Sequence, residues 1–172
     1  MKRIGNLFGP LSKIFFSPPV EFRYLPMNRH VIHSKRGGLI DYLNHYIDSF
    51  FIARSDDGWL IGYPAGCLEN PMLNPLFNDL GYYKAFAPFC APYLCHLHIN
   101  IAADYRNHGI GAALIEAFAA QASTVRAPGM HIVTNEGARN IRFYERNNFR
   151  FLSTTYSNGA RVVFMGRQLS QN

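Results

Sequence analysis

Tyr93-Leu94-Cys95-His96-Leu97-His98-Ile99-Asn100-Ile101-Ala102-Ala103-Asp104-Tyr105-Arg106-Asn107-His108-Gly109-Ile110-Gly111-Ala112 is the stretch on which the fold turns. From His96 to Ile101 polar and apolar residues alternate, the period of a strand. Ile110, Leu114, Ile115 and Phe118 then recur at helical spacing in an alanine-rich run reaching Ala122. Two glycines and an arginine therefore fall where a strand gives way to a helix. The first turn of a helix carries N–H groups without intrahelical partners, and the macrodipole adds positive potential there. Glycine lets main chain approach an oxyanion closely, and Arg106 offers a forked, charged donor. The segment predicts an anion site with a pyrophosphate as its guest. Its plainer alternative is a glycine-containing helix cap with no ligand.

Which pyrophosphate is narrowed by elimination. No lysine follows Gly111, so the phosphate loop of nucleoside triphosphatases is absent, and a dinucleotide fingerprint needs three glycines in an early strand–helix–strand unit. Arg106-Asn107-His108-Gly109-Ile110-Gly111-Ala112 resembles the Arg-x-x-Gly-x-Gly/Ala acetyl-CoA loop of the GCN5-related N-acetyltransferases (GNAT). A second segment, Gly137-Ala138-Arg139-Asn140-Ile141-Arg142-Phe143-Tyr144-Glu145-Arg146-Asn147-Asn148-Phe149, resembles that family's Asn-x-x-Ala-x-x-Phe-Tyr-x-x-x-Gly-Phe, aligned on Phe143-Tyr144 and Phe149. It departs at Gly137, Asn140 and Asn148, where Asn, Ala and Gly are usual. Asn148 is readily rationalised, because Asn tolerates the left-handed backbone that ends many helices. The two motifs cover roughly residues 93 to 152, and the first ninety residues match only in element order.

The resemblance implies an α/β fold of the α+β type, a mixed and mostly antiparallel sheet of six to seven strands with helices on both faces. It implies an acyltransferase using acetyl-CoA, in which a primary amine attacks the thioester directly in a ternary complex. Its cofactor contacts map to Ile99 and Ile101, whose strand pairs with the pantetheine arm, to Arg106, Asn107, His108, Gly109, Ile110, Gly111 and Ala112, and to Asn140 and Tyr144. Two parallel strands, around Ile99 and Ile132, would splay to admit that arm. Tyr144 matches the tyrosine that protonates the departing sulfur, a task suited to a neutral phenol. Main-chain N–H near Ile101 would polarise the carbonyl.

The residues themselves nominate a base. His96 and His98 share one face of a strand with Asn100 beside them, and imidazole accepts a proton near neutral pH. We expect His98 to act, with His96 second and Glu69 third. No carboxylate completes a metal site with the two histidines at recognisable spacing, so no metal is expected.

Composition bounds the rest. At 172 residues, 48% apolar and 16% charged, the chain is expected to form one globular domain over 20–172, preceded by an arm of residues 1–19. The net charge of +6 suits an anionic cofactor, and without a basic run nucleic acid is not expected as a partner. Cys67, Cys90 and Cys95 are odd in number and match no zinc spacing, so reduced thiols and a cytoplasmic location are expected. The apolar start from Met1 to Phe16 is interrupted by Gly5, Gly9, Pro10 and Lys13 and makes a poor secretory signal, and no run is long enough to span a membrane.

Along the chain we predict a strand at Val20–Leu25, a helical region from His30 to Ile47 split at Gly37-Gly38, and a strand from Asp48 to Ser55. Asp56-Asp57-Gly58 reads as a hairpin turn into a partner strand from Trp59 to Leu68, where Pro64 and Gly66 suggest a bulge or an edge. Residues 69–92 hold four prolines and many aromatics and read as a partly helical insert, either a wall of the acceptor site or a satellite core. Met130–Thr134 reads as a buried strand, and the chain closes with a terminal antiparallel hairpin, Arg150–Tyr156, a Ser157-Asn158-Gly159 turn and Ala160–Leu169. Besides an N-acetyltransferase for a small-molecule or peptide amine, two readings stay open: a non-catalytic acyl-CoA-binding module, and an acetyltransferase for aminoacyl-tRNA or a ribosomal protein. A homodimer is compatible with all three.

Overall fold

Alternation at residues 95–101 and helical periodicity after Ile110 become the strand and helix that the sequence predicts. The computed structural model describes residues 39–55 and 58–170. The expected arm of residues 1–19, the strand at Val20–Leu25, the Gly37-Gly38 break and Asp56-Asp57 of the hairpin turn lie outside the described residues. In chain order the elements are α1 (Leu39–His45), β1 (Ala53–Arg54), β2 (Leu60–Cys67), α2 (Tyr82–Cys90), β3 (Cys95–Ile101), α3 (Ile110–Thr124), β4 (Gly129–Asn135), α4 (Ile141–Arg146), β5 (Arg150–Ser157) and β6 (Ala160–Gln168). Among the described residues the six strands run in the order β1-β2-β3-β4-β6-β5. The pairs β1–β2, β4–β6 and β5–β6 are antiparallel, and β3–β4 is parallel. The β3–β4 ladder holds Cys95↔Met130 and His96↔His131, whereas β4 pairs with β6 from Gly129 to Asn135.

The strand expected at Asp48–Ser55 is much shorter than predicted. A 3-10 turn occupies Ile47–Ser49, Phe50 makes an isolated bridge to Ala65, and the register shifts between Ala53 and Arg54. Pro64 is not on an edge strand, since β2 lies second in the order. Its carbonyl accepts from the Phe51 N–H at 3.5 Å.

The chain divides into two compact units, and β3 passes from one to the other. In the unit containing residues 39–66 and His98–Phe118, the buried side chains of Ala53, Ile61, Ile110 and Leu114 form a core flanked by Phe51, Ile99, Ile101 and Tyr105. Gly62 is required there, because a Cβ on it would lie 2.8 Å from the Asn100 carbonyl oxygen.

The second unit contains Cys67–Leu97 and the chain from Ala119 onward, and its core is aromatic. The insert at 69–92 supplies much of it. Asn70 and Asn74 cap successive 3-10 turns by accepting from Met72 N at 3.0 Å and Leu76 N at 2.9 Å. Helix α2 then buries Tyr83, Phe86 and Cys90. Phe86 and Phe89 pack on Phe164 of β6 at 5.2 and 5.6 Å between centroids. No helix among the described residues is long and apolar enough to cross a membrane.

Candidate active site

The loop between β3 and α3 is built from main chain. Ala103–Tyr105 forms a 3-10 turn, Asn107 (φ 64°) and Gly109 (φ 79°) adopt left-handed backbone, and residues 106–109 are exposed. Alternation of hand in consecutive residues turns successive N–H groups toward one concavity. Ala113 is the first N–H of the helix to be paired, with Gly109 O at 3.1 Å. The N–H groups of residues 107 through 112 donate to no other group among the described residues. Six main-chain donors at a helix start, anchored by the buried Ile110, fit a diphosphate. Arg106 contributes differently from its sequence reading. Its Nε donates to Ile101 O at 3.1 Å and ties the loop to the end of β3, leaving the two Nη groups for an anion.

In the same unit His98 is half-buried, edge-on to the Tyr42 ring of α1 at 5.5 Å. Burial lowers its pKa below the ordinary value, so its neutral form is favoured. Asn100 Nδ2 donates to Tyr63 OH at 3.1 Å, and Tyr63 stacks on Phe50 at 5.3 Å.

The second unit holds Tyr144, Asn140 and His96. Tyr144 is 4% exposed, and its ring packs edge-on to Phe149 at 5.5 Å. Burial raises the phenol pKa to about 12, so it stays a proton donor throughout the neutral range. The helix carrying it ends as the motif requires: Asn148 is left-handed at φ 65°, and Phe149 N–H donates to Tyr144 O at 3.1 Å. Asn140 is the N-cap residue of α4.

His96 is only 2% exposed and enclosed by Phe77 at 4.6 Å, Tyr83 at 6.0 Å and His131 at 5.4 Å. Glu69 is exposed and accepts from Asn74 Nδ2 at 3.2 Å. His131 drew no attention in the sequence, although a histidine in the apolar run of β4 was a signal. Its Nδ1 faces Tyr93 O, so that nitrogen carries the hydrogen, and Nε2 accepts from Tyr83 OH at 3.3 Å. The ring stacks on Phe164 at 4.4 Å. His131 thus joins α2 to the residue that leads into β3. No metal-ligating group of three or more side chains occurs among the described residues.

A family model described as "Acetyltransferase (GNAT) domain" matches residues 47–151, more than half of the chain. The chain belongs to the GNAT acetyltransferase family. Acetyl-CoA is the cofactor of GNAT proteins, and the amide-lined loop at 107–112 fits its diphosphate. A comparison with curated proteins finds no match. Among solved structures, Ard1 from Thermoplasma volcanium is similar at 14% identity, a TM-score of 0.63 and coverage of 92% of this chain and 98% of that one. Naa20 of Chaetomium thermophilum in complex with a bisubstrate analogue matches at 18% identity and TM-score 0.63, covering 93% and 87%. A Bacillus anthracis protein assigned as a streptothricin acetyltransferase, in complex with acetyl coenzyme A, matches at 16% identity and TM-score 0.53, covering 70% and 62%. At these identities the structures show a GNAT fold, mixed α/β with a mostly antiparallel sheet.

Proposed function

We propose that this chain is an N-acetyltransferase that moves the acetyl group of acetyl-CoA onto a primary amine by direct attack. The observation that carries the reading is the row of six N–H groups at 107–112 that donate to nothing among the described residues. Acetyl-CoA supplies an activated thioester. The loop amides hold its diphosphate, with Arg106 fixing the loop and lending its Nη groups. Main chain at Ile99 and Ile101 pairs with the amide-bearing arm, and N–H near Ile101 polarises the carbonyl oxygen. His98 Nε2 or Nδ1 takes the ammonium proton, directly or through water, and Tyr144 Oη gives one to the sulfur. Enclosure by Phe77, Tyr83 and His131 argues for His98 over His96, because a ring shut among aromatics cannot meet an amine. The acceptor is a small-molecule or peptide amine. The three buried cysteines, none in a disulfide, suit a reducing cytoplasm.

Calorimetry with coenzyme A and thiol release with an amine panel test this reading. Wild type is expected to bind and turn over. Gly109→Val, which forces a β-branched residue to φ 79°, should weaken binding by about tenfold or more. Binding without turnover by any amine would leave a non-catalytic acyl-CoA module. No heat with coenzyme A would overturn the proposal.

A further inference from the structure

Asn140 stands where the family's second motif usually has alanine, and its side chain is engaged. Asparagine at a helix N-cap ordinarily accepts from a first-turn N–H through its side-chain oxygen. Asn140 is the N-cap residue of α4 yet makes no such bond. Its Oδ1 accepts instead from Thr134 Oγ1 at 3.0 Å. Its main-chain carbonyl accepts from Tyr144 N at 3.0 Å. A hydrogen-bonded path therefore runs from strand β4 through the first residue of the helical turn to the residue bearing the phenol.

The two ends of this path differ in rigidity. Thr134 lies in a ladder that pairs it with Val163. Helix α4 has only six residues and takes its direction from its surroundings: the burial of Tyr144 against Phe149 at one end and the Thr134–Asn140 bond at the other. The connection between them includes Gly137 at φ 74° and is braced by Ala138 N to Asn135 O at 3.1 Å and Ile141 N to Ala138 O at 3.1 Å. Those are local turns. Glu136 N to Arg161 O at 2.9 Å secures the start of the connection, not α4 itself.

We propose that Thr134 is a positioning residue for the transfer reaction: through Asn140 it sets the rotation of α4 and so the aim of the Tyr144 hydroxyl. This rests on the reading of Tyr144 as the acid toward sulfur. The angle of a proton donor matters more to turnover than to cofactor affinity, because the donor acts on charge that develops during reaction.

The test is a kinetic cycle with Thr134→Val, Thr134→Ser, Tyr144→Phe and the Thr134→Val/Tyr144→Phe double variant. Thr134→Val keeps the shape and removes the donor. It should lower kcat by about tenfold with KM for acetyl-CoA within about twofold of wild type. Thr134→Ser restores the donor and should recover the rate, which a packing role for the threonine methyl would not allow. Asn140→Ala removes the acceptor and should reproduce the kcat loss of Thr134→Val, whatever it does to KM as one of the expected cofactor contacts, so misfolding of one variant does not decide the matter. The double variant should be no slower than Tyr144→Phe alone, because a residue that acts through Tyr144 has nothing left to aim. If Tyr144→Phe turns over normally, the acid assignment falls and this inference with it. If Tyr144→Phe is slow while Thr134→Val is unaffected, or the two losses multiply, the positioning role alone is overturned.

Discussion

His96 and His98 lie two positions apart on one strand, and their surroundings separate their chemistry. Alternation places both on one face, which is as far as the sequence could go. Three-dimensional enclosure decides between them, and the enclosing Phe77 and Tyr83 come from an insert without periodicity. His98 is half-buried against Tyr42, and burial depresses its pKa below 6.5. A depressed histidine is neutral at pH 7, as a base must be. We expect the acid limb of kcat/KM to fall below pH 6.5, and His98→Ala to lower kcat by about a hundredfold and displace that limb. An unaltered profile would move the base elsewhere. The stability effect has the same sense. The unfolded chain takes up the proton first as pH drops below 6.5, so the contribution of neutral His98 to stability is lost on acidification. Asn148 was legible in advance, since its side chain announces tolerance of the φ of 65° that it adopts. Thr134 was not, because a threonine in a strand is ordinary and its partner is six residues away across a turn.

At the scale of elements, the segments with a clear pattern were readable and the irregular ones were not. Helix α3 and strands β3, β5 and β6 fall within a few residues of their expected positions, because each repeats its pattern over several turns or pleats. Strand β1 shrinks to two residues because its register against β2 shifts between Ala53 and Arg54, which no pattern at 48–55 encodes. The entry to β4 shows how tightly such junctions are built. A Cβ on Gly129 would lie 2.6 Å from the Pro92 carbonyl oxygen and 2.8 Å from the Tyr93 ring. Main chain cannot yield there as a flexible side chain could. Gly129→Ala is expected to destabilise the protein by about 1–3 kcal/mol, read as a lower midpoint in urea at constant m-value. A midpoint equal to wild type would show that the junction has slack.

The whole chain protects its sulfur. Cys67, Cys90 and Cys95 are in no disulfide and are completely buried. Burial pushes the Cys90 thiol up to about 11 and that of Cys95 to about 12, so thiolate is scarce at neutral pH. An aromatic disulfide reagent should release no chromophore from the native protein within minutes and three equivalents in denaturant. Rapid reaction of one thiol in the native state would reveal local opening at that cysteine. The family could be recognised from two motifs in the second half, and the element order across residues 93–168 follows from them. The acceptor could not, because amine recognition depends on side chains brought together from segments distant in sequence.

A cradle of peptide nitrogens is indifferent to the side chains that decorate it. Exchanging His108 or Ala112 for another residue of compatible backbone alters none of the N–H groups that we propose hold the diphosphate. Alanine replacement at His108 should therefore pass almost in silence, whereas at Asn107 and Gly109 it would strain the positive φ that the loop needs. Side chains on its rim can change without touching those N–H groups, while the path of the chain through Asn107 and Gly109 has to be kept.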